Sequence, residues 1–134
     1  MDEKETGKLV EAALQARRFA KAKYSDFHVG AAILTTDNQI FSGCNVESSS
    51  YGLSICAERV ALTKALSEGK TAFKAIAIAS RDGMFCPPCG ACRQMLYDYA
   101  PDLKVILSDG EHTRVYSLKE LLPHAFDDSQ LGAK

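Results

Sequence analysis

Apolar residues recur at helical spacing through Leu9, Ala12, Ala13, Ala16, Phe19 and Ala20, which predicts a helix over residues 4–23. Arg17, Arg18, Lys21 and Lys23 fall between them and read as its solvated face. Two short apolar runs, residues 29–34 and 40–44, flank a polar stretch at 35–39 and predict a β-hairpin. Helical spacing returns over residues 55–68 and stops at Gly69. Residues 75–79 are wholly apolar, as in a strand buried on both faces. A further helix is predicted from Pro88 to the residue before Pro101, then a strand at 103–107. Asp109-Gly110 marks a turn, 113–116 an edge strand, and 118–122 a short last helix. Residues 127–134 are expected to form a flexible polar tail.

Strand–helix–strand order implies parallel pairing covered by helices, and the hairpin adds an antiparallel part. The predicted fold is α/β: a three-layer α/β/α sandwich around a mixed five-stranded sheet. A chain of 134 residues fits one domain, 1–134, that needs no disulfide staples to hold its core. With 46% hydrophobic and 25% charged residues it has an ordinary globular composition. The net charge of -1 argues against a protein built to hold a nucleic acid polymer. No apolar run approaches the ~20 residues of a membrane span. The charged start Met1-Asp2-Glu3-Lys4-Glu5 does not resemble a secretory signal. Five cysteines, three of them spaced as Cys86-x-x-Cys89-x-x-Cys92, suggest metal ligation or redox chemistry in a reducing compartment. A cytoplasmic location is expected.

Cys56-Ala57-Glu58 and Pro88-Cys89-Gly90-Ala91-Cys92 carry the candidate chemistry. Pro88 at a first helical position would place Cys89 and Cys92 on one face of the opening turns. Ser54 is a candidate N-cap for the preceding helix, with Cys56 in its first turn. Thiols at helix N-termini are biased toward the thiolate that binds metal. Three thiolates and one open position suit a catalytic zinc, whereas a structural zinc has four protein ligands. Such a metal makes hydroxide available near neutral pH, and Glu58 can move the protons. Zinc deaminases use this arrangement, with a non-ligand Glu as general acid and base ahead of a Pro-Cys-x-x-Cys pair. One geometric difficulty stands: residues i and i+2 of a regular helix do not share a face, so Cys56 and Glu58 would diverge. A Cys-x-x-Cys pair alone also fits a redox site, a zinc knuckle or an iron–sulfur site. The last wants a Cys where Met95 stands. Pro87-Pro88 holds Cys86 extended and away from the helix, so Cys86 and Cys44 are read as ordinary thiols.

Arg59 has an electrostatic reading. Three thiolates and Zn2+ sum to a net negative site, and a guanidinium beside Cys56 would draw charge off the sulfurs. A surface salt bridge is the competing reading. Asn45 and Glu47, two apart in an extended segment, point the same way and could bind sugar hydroxyls, or could be solvated loop residues. Phe27 reads either as core or as a base-stacking ring.

Several segments together resemble the small, homotetrameric, three-cysteine cytidine deaminases. They are Tyr24-Ser25-Asp26-Phe27-His28-Val29-Gly30-Ala31-Ala32, Gly43-Cys44-Asn45-Val46-Glu47, residues 50–59 and Pro88-Cys89-Gly90-Ala91-Cys92-Arg93-Gln94. Leu121-Leu122-Pro123 and Phe126 match the C-terminal end of that family. His28 stands where the family usually has Pro, and Glu47-Ser48-Ser49-Ser50 replaces Glu-Asn-Ala-Ser. The resemblance implies zinc-dependent hydrolytic deamination of cytidine and 2′-deoxycytidine in pyrimidine salvage, releasing ammonia. It implies one zinc per subunit on Cys56, Cys89 and Cys92, with Glu58 as the catalytic acid and base. It implies ribose binding by Asn45 and Glu47, base contacts from Phe27 and the backbone of Ala57, and Phe126 reaching a neighbouring subunit's pocket. A deaminase of blasticidin type is the alternative, and Asn45-Val46-Glu47 favours cytidine. A non-catalytic zinc or iron–sulfur module is the rival of another kind, and Glu58 so close to Cys56 speaks against it.

Overall fold

The computed structural model describes residues 1–132. Helix α1 (Glu3–Ala16) opens on a capping box in which Asp2 accepts from the Glu5 N–H and the Glu5 side chain returns to Asp2. It is followed by a 3-10 turn at Arg17–Phe19, so the regular helix ends earlier than its periodicity predicts. The reason is tertiary. The Lys21 N–H donates to Asn45 O (2.9 Å) and the Glu47 N–H donates to Lys21 O (3.0 Å), pulling this stretch out as an extended bridge.

Strands β1 (Gly30–Thr35) and β2 (Ile40–Cys44) form the predicted hairpin, Leu34 opposite Ile40 and Gly30 opposite Cys44. Helix α2 (Ala57–Ser67), strand β3 (Phe73–Ala79), helix α3 (Gly90–Tyr99) and strand β4 (Lys104–Ser108) follow. Strand β5 (Thr113–Ser117) and helix α4 (Leu118–Leu121) complete the order. The sheet runs β2-β1-β3-β4-β5, with β3 and β4 parallel and the other neighbours antiparallel. It is the mixed five-stranded sheet expected. The 127–134 segment carries a 3-10 turn at Asp128–Leu131, capped by Asp127; the rest of that expectation, residues 133–134, lies outside the described residues.

Strand alternation sorts the core into two layers. Ala31, Ile33, Ile76, Ile78, Val105 and Leu107 face Leu62 of α2 and Leu96 of α3. Ala32, Leu34, Ala75, Ala77, Ala79 and Ile106 face Leu9 and Ala13 of α1. Alanines on the α1 side let that helix sit close to the sheet. At Gly30 the approach is closest, where a Cβ would lie 2.0 Å from Ala13 O. At Gly43 a Cβ would lie 2.6 Å from Ala61 N, so β2 presses directly on α2. The result is that the starts of α2 and α3, and the stretch after β2, converge at the carboxyl end of β3. Among the described residues no helix is long and apolar enough to cross a membrane.

Candidate metal centre and substrate cavity

Cys56 and Cys89 are the N-cap residues of α2 and α3. This corrects two expectations. Ser54 does not cap α2; its Oγ accepts from the Ser48 N–H (3.0 Å). Pro88 is not the first helical residue but precedes the cap, and Gly90 opens α3. The correction removes the obstacle raised by helical spacing. Cys56 has extended φ and ψ of −70° and 152°, so it is not bound by the helix geometry that separates i from i+2. Neither N-cap sulfur caps a backbone N–H of its own helix, which leaves both available to another ligand.

The sulfurs of Cys56, Cys89 and Cys92 lie within 4.8 Å of one another. The Sγ atoms of Cys56 and Cys89 are 3.8 Å apart. A tetrahedral zinc with Zn–S near 2.3 Å puts its sulfurs about 3.8 Å apart, so the donor set and spacing fit that ion. Cys92 is fully buried in the third position of α3, and Cys89 is exposed, so the triad spans from core to cavity. All five cysteines are free, and Cys86 stands outside the triad.

Electrostatics favour a thiolate at Cys56. A hydrogen bond from Cys92, and then the Arg59 guanidinium, pull the Cys56 thiol down to about 5. Cys92 moves up because the charge beside it is already placed on Cys56. The Arg59 Nη2 lies 3.8 Å from Cys56 Sγ, and the same contact strengthens the hold of Arg59 on its proton. Arg59 therefore faces a sulfur and makes no surface ion pair among the described residues. Its Nε is buried without a partner. Glu58 is 4% exposed, and burial pushes its carboxyl up to about 7.

A cavity of about 340 Å3 opens over the triad. Phe27, Asn45, Glu47, Cys56, Ala57 and Glu58 all line it, together with Cys89. The structure thus gathers residues scattered over more than sixty positions of sequence, and seven of the ten candidates are among them. Cys92 is buried and Arg59 lies against Cys56, so neither lines the cavity. Phe126 is away from the site: it lies 54% exposed on the far flank of α3, where its carbonyl accepts from Gln94 Nε2 (2.8 Å). Val29, Ser54, Ile55, Cys86 and Pro87 also line the cavity, a position the sequence does not assign to them. Their signal was present only as neighbours of motif residues.

The loop before β1 is shaped by two polar side chains. Asn45 accepts from the Val29 N–H (2.9 Å) and donates to Phe27 O (2.7 Å), so its amide also clamps the chain that carries Phe27. Glu47 Oε1 accepts from the Tyr24 and Ser25 N–H groups (3.0 and 3.1 Å), and the Ser25 hydroxyl donates to Oε2. Those bonds, led by the Ser25 hydroxyl, hold Glu47 below the usual carboxylate range and thus ionised. Asp26 sits in the left-handed region at φ 56°, and the His28 ring lies 3.2 Å from its carboxylate. The His28 ring thus touches the turn that Asp26 makes.

A model of the cytidine and deoxycytidylate deaminase zinc-binding region matches residues 3–108. The chain belongs to this family. A probable cytidine deaminase of Dictyostelium discoideum is 44% identical over 135 aligned positions, covering 100% of this chain and 92% of that protein. The cytidine deaminase of Halalkalibacterium halodurans is 46% identical over 121 positions, covering 88% of this chain and 91% of its own. The crystal structure of a cytidine deaminase from Burkholderia pseudomallei superposes with a TM-score of 0.87 at 46% identity, covering 94% of this chain and all of that one. A blasticidin-S deaminase of Bacillus cereus is more distant, 33% identical over 104 positions and 72% of this chain. The three-layer fold and the zinc-dependent hydrolase class are those of the family, and the triad supplies the donors that its metal requires.

Proposed function

We infer that the chain hydrolyses cytidine and 2′-deoxycytidine to uridine and 2′-deoxyuridine with release of ammonia. The observation that carries this is a buried carboxyl beside three metal-competent thiols, at a cavity wide enough for one nucleoside. Cys56, Cys89 and Cys92 would hold a zinc ion, which would lower the pKa of a water at the site. Glu58 takes a proton from the water as its oxygen bonds to C4 and delivers that proton to N3 of the base; it then carries the proton of the new C4 hydroxyl to the amino group, so that the C4–N bond breaks, ammonia leaves and C4=O forms. A carboxyl near neutrality can do both halves of that cycle. Phe27 offers its ring to the base and the backbone of Ala57 its polar groups to the base edge. Asn45 and Glu47 orient the ribose, one with a spare N–H and lone pair, the other as an ionised acceptor. Incubation of the zinc-loaded protein with cytidine, followed by ultraviolet absorbance and ammonia release, tests the reading. Conversion of blasticidin S in preference to cytidine would instead favour the more distant relative's activity.

Arg59 in this reading keeps the thiolates from over-neutralising the metal. Arg59→Gln is expected to lower kcat about tenfold or more, the scale of losing a hydrogen bond to a charged group. Metal content and Tm should move little. A parental kcat with full zinc content assigns Arg59 to packing alone.

The single domain of residues 1–134 acts as a homotetramer in the cytoplasm, within pyrimidine salvage, one zinc to each subunit and no nucleic acid polymer or membrane as partner. Exposed Ile55 lines the cavity and exposed Tyr51 lines the cleft that shares Glu47 and Ser54 with it, apolar surface that supports a covering subunit there. Phe126, outside its own chain's cavity, is the residue offered to a neighbour's. Phe126→Ala should raise KM for cytidine roughly tenfold, as lost burial of an aromatic ring predicts, and leave zinc in place. Light scattering and steady-state kinetics check both parts; a fully active monomer overturns the shared site.

A further inference from the structure

Phe27 is held at its backbone by hydrogen bonds, whereas its ring packs against the core only in part. Its N–H donates to Ser25 Oγ (3.0 Å) and its carbonyl accepts from Asn45 Nδ2. The ring itself is only half-buried, at the edge of the core and of the substrate cavity. Rotation about its side-chain bonds would open or narrow that cavity without breaking a hydrogen bond. Something other than the backbone must choose the orientation.

We propose that Arg81 is a positioning residue for the nucleoside, stacking on Phe27 to fix the ring as a wall of the cavity. The proposal rests on the reading of Phe27 as a substrate contact and extends it to a residue outside the cavity. The Arg81 guanidinium lies over the Phe27 ring, 5.3 Å from its centroid. Arg81 does not line the substrate cavity; it lines a neighbouring cleft with Arg17 and His28. Both of its chain neighbours are held by a single arginine. Arg17 Nη1 donates to Ser80 O and pairs with Asp82 Oδ1 at 3.1 Å. The Met84 N–H closes the turn on Arg81 O (3.2 Å). Among the described residues Arg81 enters no salt bridge, so its charge is not committed to a carboxylate in preference to the ring. A planar guanidinium on an aromatic face is held by cation–π attraction and stacking together, and a lysine keeps only the first.

A wall residue touches the bound nucleoside before and during the reaction alike. Loosening it removes uniform binding, which raises KM and spares kcat. In the zinc-loaded full-length protein, R81Q should raise KM for cytidine about two- to fivefold, the range for losing one exposed cation–π contact. Its kcat, zinc content and Tm should match the parent, and R81K should fall between the two. F27L should raise KM by itself, and adding R81Q to F27L should raise it no further. An R81Q enzyme with parental KM overturns the proposal while F27L still reports on Phe27. So does an equal KM rise from R81Q in both backgrounds, or a loss confined to kcat and zinc. A parental KM in F27L removes Phe27 from substrate binding and takes the Arg81 proposal with it.

Discussion

Glu58→Gln is expected to lower kcat for cytidine by about 100- to 10,000-fold, the range for losing a positioned general acid and base, with zinc content unchanged. The substitution is close to isosteric, so the cavity keeps its shape. What disappears is the exchangeable proton at the carboxyl oxygen. Burial at 4% exposure holds this carboxyl far above an ordinary glutamate, to about 7, which is what lets it both accept and give protons near neutrality. A neutral amide also removes any cost of burying a charge there, so Tm should hold or rise slightly. KM should change little, because the amide still fits against the base. Absorbance kinetics, metal analysis and thermal melting on one preparation check the three expectations together. A zinc-loaded Glu58→Gln variant with parental kcat would remove Glu58 from the mechanism.

Much of this site is legible in the chain because its key groups sit beside local punctuation. Pro88 and Gly90 bracket Cys89, and Gly69 ends the helix that begins after Cys56. The hairpin and the buried strand followed directly from runs of apolar residues, and β2, β3 and β4 lie within two residues of their predicted ends. What periodicity mis-set were the two caps and the end of α1. At the end of α1 a long-range partner decided. Lys21 leaves the helix because Asn45 and Glu47 take its backbone groups, and no local pattern encodes a bond across that distance. The caps matter more. With Cys56 and Cys89 at N-cap positions, their sulfurs hang off the helix tips, and residues two apart can meet. Helical spacing alone argued against the pairing of Cys56 with Glu58 that the fold makes natural.

The same limit explains the side chains with two tasks. Asn45 was read as a group for the sugar, and its amide also clamps Phe27 O and the Val29 N–H. Arg114, on the edge strand, lies 4.3 Å from the ring centroid of Phe85, just ahead of the segment bearing Cys86 and Cys89. Arg93 donates to Pro88 O (2.7 Å) and to Leu121 O (2.7 Å), tying the ligand loop to α4. Arginine spacing in the sequence carries no trace of this. The loop between β3 and α3 has no ladder or helix of its own; Arg17, Arg93 and Arg114, from three separate elements, hold it in place, and its own Arg81 reaches out to Phe27.

Alanine at Cys56, Cys89 or Cys92 is expected to strip zinc and activity together, whereas Cys86→Ala should keep both. The three differ in exposure but act as one donor set, with sulfurs inside 4.8 Å. Removing any one leaves two thiols and opens a second solvent position, so affinity should fall beyond the roughly 10- to 100-fold that losing an outer partner costs. Cys92 carries an added penalty. It is fully buried, and alanine there leaves a small void beside Leu96, worth about 1 kcal/mol of stability. Cys86 is close enough to line the same cavity, which makes it the informative control. Burial pushes its thiol up, so at neutral pH it offers a protonated sulfur where a metal wants a thiolate. Pro87 and Pro88 hold it off the tip of α3, where Cys89 sits. Metal content after dialysis against a weak chelator, measured beside kcat for each variant, separates the four cysteines. Zinc lost from Cys86→Ala and retained by Cys56→Ala would place the metal on the Cys86, Cys89, Cys92 run. Glu58 would then have no metal partner at the start of α2, and the deaminase chemistry built on Cys56 would have to be abandoned.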